Sequence, residues 1–296
     1  MKIGIPKALY YYYYSDLFNL FFKNLNIEVV TSCDTNKEIV EKGNFYSNDE
    51  MCLSLKIFLG HIYDIKYKCD YILIPNIVNY GKSNQMCCNY LALYDLVNNL
   101  FNVKILTFKI DCENKLKEID GLIKIGKTLG FNKKEVKTAY KKAIVEVNKI
   151  KKKKIFKNNQ KLKSLNKKVL LVGHPYNLYD EYITKDIVST LEKNNCEIIY
   201  CDQFESEVTN NLSKYLSTDL YWKYSKENIG SIVLTNNEID GIIFLTTFPC
   251  GLDSLVNELV MRKISKPYLN LIIDDLDSNA GLESRLESFI DILEQN

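Results

Sequence analysis

The sequence predicts an α/β protein of two similar lobes, each a four-stranded parallel sheet flanked by helices. Three observations predict it. The chain has 296 residues, more than a single core comfortably takes and suited to two domains of ordinary size. Short β-branched or apolar runs alternate with helical patterns from end to end, the mark of parallel βα units. The halves also share a rhythm: strand starts are separated by about 25, 44 and 32 residues in the first, and by about 29, 44 and 27 in the second.

The strand candidates of the first half are Lys2–Pro6, Ile27–Thr31, Tyr71–Pro75 and Val103–Phe108. Those of the second are Lys168–Gly173, Glu197–Cys201, Gly241–Leu245 and Tyr268–Ile273. The expected lobes are 1–150 and 168–296, joined by a Lys-rich helix end and linker over 151–167. About ten lysines crowd Lys149–Lys168 with almost no periodic apolar face after Phe156, as on a solvated segment. Phe156 is its only aromatic, short of the interleaved set that base stacking uses, so a nucleic-acid patch is disfavoured.

Thr35 with Glu38 and Asn132 with Glu135 fit capping boxes. Ser47 or Asn48 is expected to cap the helix containing Cys52, Leu55, Phe58 and Leu59. Further helices are expected at Glu113–Ile119, Tyr90–Leu100 and Ser254–Lys263. Gly121–Thr128 satisfies the P-loop pattern on paper, but apolar Leu122, Ile123 and Ile125 and the stop at Gly130 read as a helix with a glycine cap. The Tyr10–Tyr14 run reads as packing.

Net charge is +2, with 46% apolar and 26% charged residues, which argues against a nucleic-acid binder by charge. No apolar run reaches the roughly 18 residues of a membrane span, and Met1 leads straight into a strand. A cytoplasmic protein without membrane association is therefore expected. Nine cysteines in that compartment are not a disulfide framework.

Three of them fall where ligands of an open parallel sheet sit, in or near the loops beyond strand carboxyl ends. Cys250 follows Gly241–Leu245, and Cys87 occupies the matching place in the first lobe. Cys52 lies in the first turns of the helix before the third strand. Helix N-termini favour thiolates and anionic clusters. Three thiolates suit an iron–sulfur cluster with one open iron better than a closed zinc site, which wants four ligands. The alternative is that all three are core cysteines. Cys33, Cys69, Cys112, Cys196 and Cys201 read as structural, and Cys88 as a spare ligand at most. Two histidines exclude multi-His zinc catalysis. His174 is a candidate proton donor or a helix-orienting residue, His61 a packed residue bonded to backbone, and Asp253 a helix cap.

Six segments carry a resemblance. They are Gly4–Tyr14 (GIPKALYYYYY), Thr35–Ile39 (TNKEI), Asp49–His61 (DEMCLSLKIFLGH), Gly173–Tyr182 (GHPYNLYDEY), Phe248–Asn257 (FPCGLDSLVN) and Ala280–Ile290 (AGLESRLESFI). In order along the whole chain they resemble the acyl-CoA dehydratase activase-related proteins. That family is similar to the cluster-bearing component of 2-hydroxyacyl-CoA dehydratases, to benzoyl-CoA reductase subunits and to double-cubane cluster proteins.

The resemblance implies Rossmann-like lobes and a cluster, 4Fe–4S or double-cubane, on cysteines corresponding to Cys52, Cys87 and Cys250. It also implies low-potential electrons from a separate ATP-dependent activase, passed to a small substrate such as an acyl-CoA under anaerobic conditions. The enzyme would be of reductase or dehydratase type; a non-catalytic iron–sulfur carrier beside a catalytic subunit is the alternative. A homo- or hetero-dimer is compatible with either. The sequence departs from the pattern at Ser54, Cys88 and Leu252, where proline is usual. It departs again at Asp274–Ala280, which lacks the usual histidine and with it the basis for a proton-transfer role there.

Overall fold

The computed structural model describes residues 1–275 and 281–295. It is α/β, with two four-stranded parallel sheets flanked by helices in two compact units. Unit one is Met1–Ile150 with Tyr221–Lys223, and unit two is Lys151–Leu220 with Tyr224–Asn296. The ten strands among the described residues are β1 (Lys2–Ile5), β2 (Glu28–Thr31), β3 (Tyr71–Leu73), β4 (Asn76–Asn79), β5 (Ile105–Leu106), β6 (Lys109–Asp111), β7 (Lys168–Val172), β8 (Glu197–Tyr200), β9 (Gly241–Thr247) and β10 (Tyr268–Ile273). All eight expected strands are present.

Unit one orders its sheet β2-β1-β3-β5, and unit two β8-β7-β9-β10. The registers correspond as well. Lys2 faces Glu28 and Ile3 faces Tyr71, as Lys168 faces Glu197 and Val169 faces Gly241. Ile72 faces Ile105 as Ile242 faces Tyr268.

The same local devices recur at matching stations. The Asp70 carboxylate accepts the Lys2 amide at 2.7 Å, and the Asp240 carboxylate accepts the Lys168 amide at 2.7 Å. The helices Tyr11–Asn24 and Glu181–Lys193 are each followed by a left-handed asparagine, Asn26 at φ 55° and Asn195 at φ 53°. Asparagine tolerates that conformation, and the turn returns amides to the last helical carbonyls: Ile27 to Phe22 at 3.0 Å, and Cys196 to Leu191 at 2.9 Å.

Two glycines hold the second layer together. A β-carbon on Gly60 would collide with the carbonyl of Ile39, and one on Gly230 with the carbonyl of Thr209. In each unit the helix before the third strand therefore touches its neighbour backbone to backbone. The cores beneath are continuous: Phe18, Phe21 and Phe22 are buried in unit one, and Leu170, Leu171, Ile243 and Phe244 in unit two.

Unit one adds the parallel pair β4 and β6, which continues β3 and β5 across Pro75 and Phe108. The stretch 151–167 holds the end of helix Lys133–Lys161 and is mostly exposed. The unit boundary falls inside that helix. Asn158 supplies the packing that its polar sequence hides, being 1% exposed. Its side chain accepts the Tyr200 amide at 3.0 Å and donates to the Tyr200 carbonyl at 3.0 Å, so it caps the end of β8. The sheet edge is thereby partly covered.

The Asn132 and Glu135 box forms reciprocally. The Thr35 box does not. Asn36 caps helix Lys37–Phe45 by accepting the Ile39 amide, because the Thr35 hydroxyl is bonded to His61. The expected helix at Glu113–Ile119 is a short 3-10 turn, Cys112–Asn114, followed by helix Glu118–Thr128. The P-loop-like segment Gly121–Thr128 lies within that helix, and Gly130 follows at φ 89°. Among the described residues no helix is long and apolar enough to cross a membrane.

Candidate functional site

The three expected ligand cysteines share one station. Cys52, Cys87 and Cys250 are the N-cap residues of helices Leu53–Ile65, Cys88–Leu100 and Gly251–Met261. Cys52 is thus not inside its helix, and neither Ser47 nor Asn48 caps it. Both cysteines of unit one have nearly the same backbone, φ −63° with ψ 148° and φ −63° with ψ 149°. Each carbonyl starts its helix: Cys52 accepts Leu55 at 2.9 Å, Cys87 accepts Tyr90 at 3.1 Å, and Cys250 accepts Ser254 at 3.1 Å. No sulfur closes a side-chain cap. The thiols therefore stand at the positive ends of three helices.

All nine cysteines are free thiols, and these three are half-buried. Cys201 is buried and bonded to Gly173 and Asn228, a structural role as expected. Cys88 is exposed.

In unit one Cys52 and Cys87 are close enough for their charges to interact. Asn89 lies between them, its side-chain amide donating to Cys52 Sγ at 3.8 Å. Burial pushes the Cys87 thiol up to about 11, and the neighbouring Cys88 and Cys52 add to this; the Asn89 and Tyr90 amides only partly oppose it. The helix end alone does not make Cys87 a thiolate, because desolvation outweighs the dipole at this site. A bound cation would have to displace the proton. Tyr10 packs edge-on to Tyr90 with ring centres 4.5 Å apart, beside Cys87.

In unit two, His174 Nε2 and Asp253 Oδ1 are 3.1 Å apart. Asp253 does not cap its helix; Cys250 holds that place. His174 is itself the N-cap of the short helix Pro175–Leu178. Its ring stacks on Tyr176 at 4.9 Å and meets Tyr224 edge-on at 6.0 Å. A histidine hydrogen-bonded to a buried carboxylate, three residues beyond Cys250, was not foreseeable from spacing, since the partners are 79 residues apart.

Residues 2–204 match the family described as CoA enzyme activase uncharacterised domain (DUF2229). The chain belongs to this family. The match takes in Cys52, Cys87 and His174 of this CoA enzyme activase-related chain and ends just after β8, so Cys250 lies beyond it. No curated protein matches the chain. Solved structures similar to it include the Zn(II)-bound AdcAII mutant variant of Streptococcus pneumoniae, at 12% identity and TM-score 0.28 over 100% of this chain and 98% of that one. Another is a sugar transporter from Clostridium phytofermentans, at 12% identity and TM-score 0.19 over 100% of this chain and 93% of that one. Likeness at those scores carries no argument about fold or function.

Elsewhere in this activase-related chain His61 is fully buried, bonded to Ser32 Oγ at 2.8 Å and Thr35 Oγ1 at 3.0 Å. Its partners are side chains rather than the expected backbone. Burial lowers its pKa to about 4, so it serves as a neutral structural link. Among the described residues no group of three or more His, Cys, Asp or Glu is placed to hold a metal ion. The departure at Asp274–Ala280 falls largely on residues 276–280, outside those described.

Proposed function

We propose that this CoA enzyme activase-related chain is an iron–sulfur protein. In this reading it takes low-potential electrons from a separate ATP-dependent activase and passes them to a small substrate, an acyl-CoA being the leading candidate. The observation that carries the reading is the shared N-cap placement of Cys52, Cys87 and Cys250. The family description supports the link to CoA enzymes and activases.

The donor set suits such a group. A polynuclear cluster takes one thiolate per iron, so its ligands are spaced around it rather than converging on one ion. The N-terminal amides of each helix favour an anionic ligand at these positions. When bound, the cluster supplies one-electron chemistry and an iron open to substrate.

The remaining tasks belong to the chain. Cys52, Cys87 and Cys250 bind. His174, held by Asp253 at 3.1 Å, is the candidate proton donor. The second reading is a non-catalytic carrier or scaffold beside a catalytic subunit, and the absence of histidine from Asp274–Ala280 favours it.

The experiment is anaerobic reconstitution followed by addition of activase, ATP and a reductant. The expected result is an absorbance shoulder near roughly 400 nm that bleaches only when activase and ATP are both present. Turnover of an acyl-CoA then separates enzyme from carrier. A shoulder that never forms, or one indifferent to activase and ATP, overturns the proposal.

A further inference from the structure

Asn89 is the second residue of helix Cys88–Leu100, a place where helix formation does not ask for asparagine. Its carboxamide is oriented by two sulfurs. The Cys88 thiol donates to Asn89 Oδ1 at 4.0 Å, which turns the NH2 end toward Cys52 Sγ at 3.8 Å. The side chain thus offers a donor to one candidate ligand of unit one, although Cys52 and Asn89 are 37 residues apart.

We infer that Asn89 is a positioning residue that tunes the Cys52 sulfur, its side-chain donor making a cluster held by Cys52 and Cys87 easier to reduce. The inference rests on the cluster reading above. Its physics is simple: a donor to a ligating sulfur stabilises the extra negative charge of the reduced state, so the potential rises with such a bond.

Asn89→Ala removes the donor. Asn89→Asp replaces it with an acceptor and a negative charge, which suits the first turn of a helix. The aspartate variant should therefore fold at least as stably as wild type, so its potential cannot fall through loss of structure. The midpoint potential decides. In iron-loaded protein it should fall in the order wild type, Asn89→Ala, Asn89→Asp.

Equal potentials in three iron-loaded proteins of equal iron content overturn the role of Asn89 and leave the cluster standing. Failure of every protein to load iron, wild type included, overturns the cluster reading and the tuning of its potential together.

Discussion

Units one and two are built on one plan and furnished differently. Both have the same strand order and register, an aspartate closing onto the first strand, and a left-handed asparagine ending the first helix. At the station of His61 in unit one, counted along the helix from the close-contact glycine, unit two has buried Ser231. Counted back from the third strand of unit two, the station of Cys52 falls on Trp222, which itself belongs to unit one. Unit one presents two N-cap thiols and Asn89; unit two presents one thiol with a His–Asp pair. The shared plan fixes where a loop offers side chains, and the local residue choice decides which chemistry they bring.

The sharpest break between the units is in acid. His61 is neutral in the fold, with a pKa near 4 against an ordinary 6.5, because burial disfavours its charged form. Between those values the unfolded chain holds a proton that the folded chain refuses, so stability falls as pH falls. The span corresponds to about 3 kcal/mol lost from unit one between pH 7 and pH 4. Trp222 is the chain's single tryptophan and packs with unit one, where Gln85 and Tyr221 pair main chain to main chain. Urea unfolding followed by its fluorescence should show that loss. His61→Gln should flatten the dependence; an unchanged slope would remove His61 as its cause.

A smaller effect tests the equivalence itself. Gly60→Ala and Gly230→Ala each force a methyl against a neighbouring helix carbonyl. Each should cost about 2 kcal/mol in urea unfolding, since overpacking at a close contact is relieved only by moving backbone. Trp222 fluorescence should report the first, and circular dichroism of the whole chain both. A cost at one glycine alone would mean that the two contacts are not counterparts.

Much of the fold was legible because the strands are short apolar runs with regular spacing, and all eight of those expected are present. Strands β4 and β6 escaped notice because each is a run of four residues or fewer with polar ends, set directly behind β3 or β5. Asn158 was hidden by the lysines around it, since one buried amide sets no period. The N-cap position of Cys52 was missed because Ser47 and Asn48 carry the expected cap chemistry nearby. Thr35 misled for a tertiary reason, its hydroxyl being engaged by His61. The pairs His174 with Asp253 and Cys52 with Asn89 join distant segments, which no local pattern announces.

The measurement that bears most directly on the account is iron and sulfide per chain after anaerobic reconstitution, in wild type and in Cys52→Ser, Cys87→Ser and Cys250→Ser. The account predicts a stoichiometric cluster in wild type and loss of most of it in each variant, with Cys88→Ser unaffected. Wild type without iron, or three serine variants that load as wild type does, would contradict it.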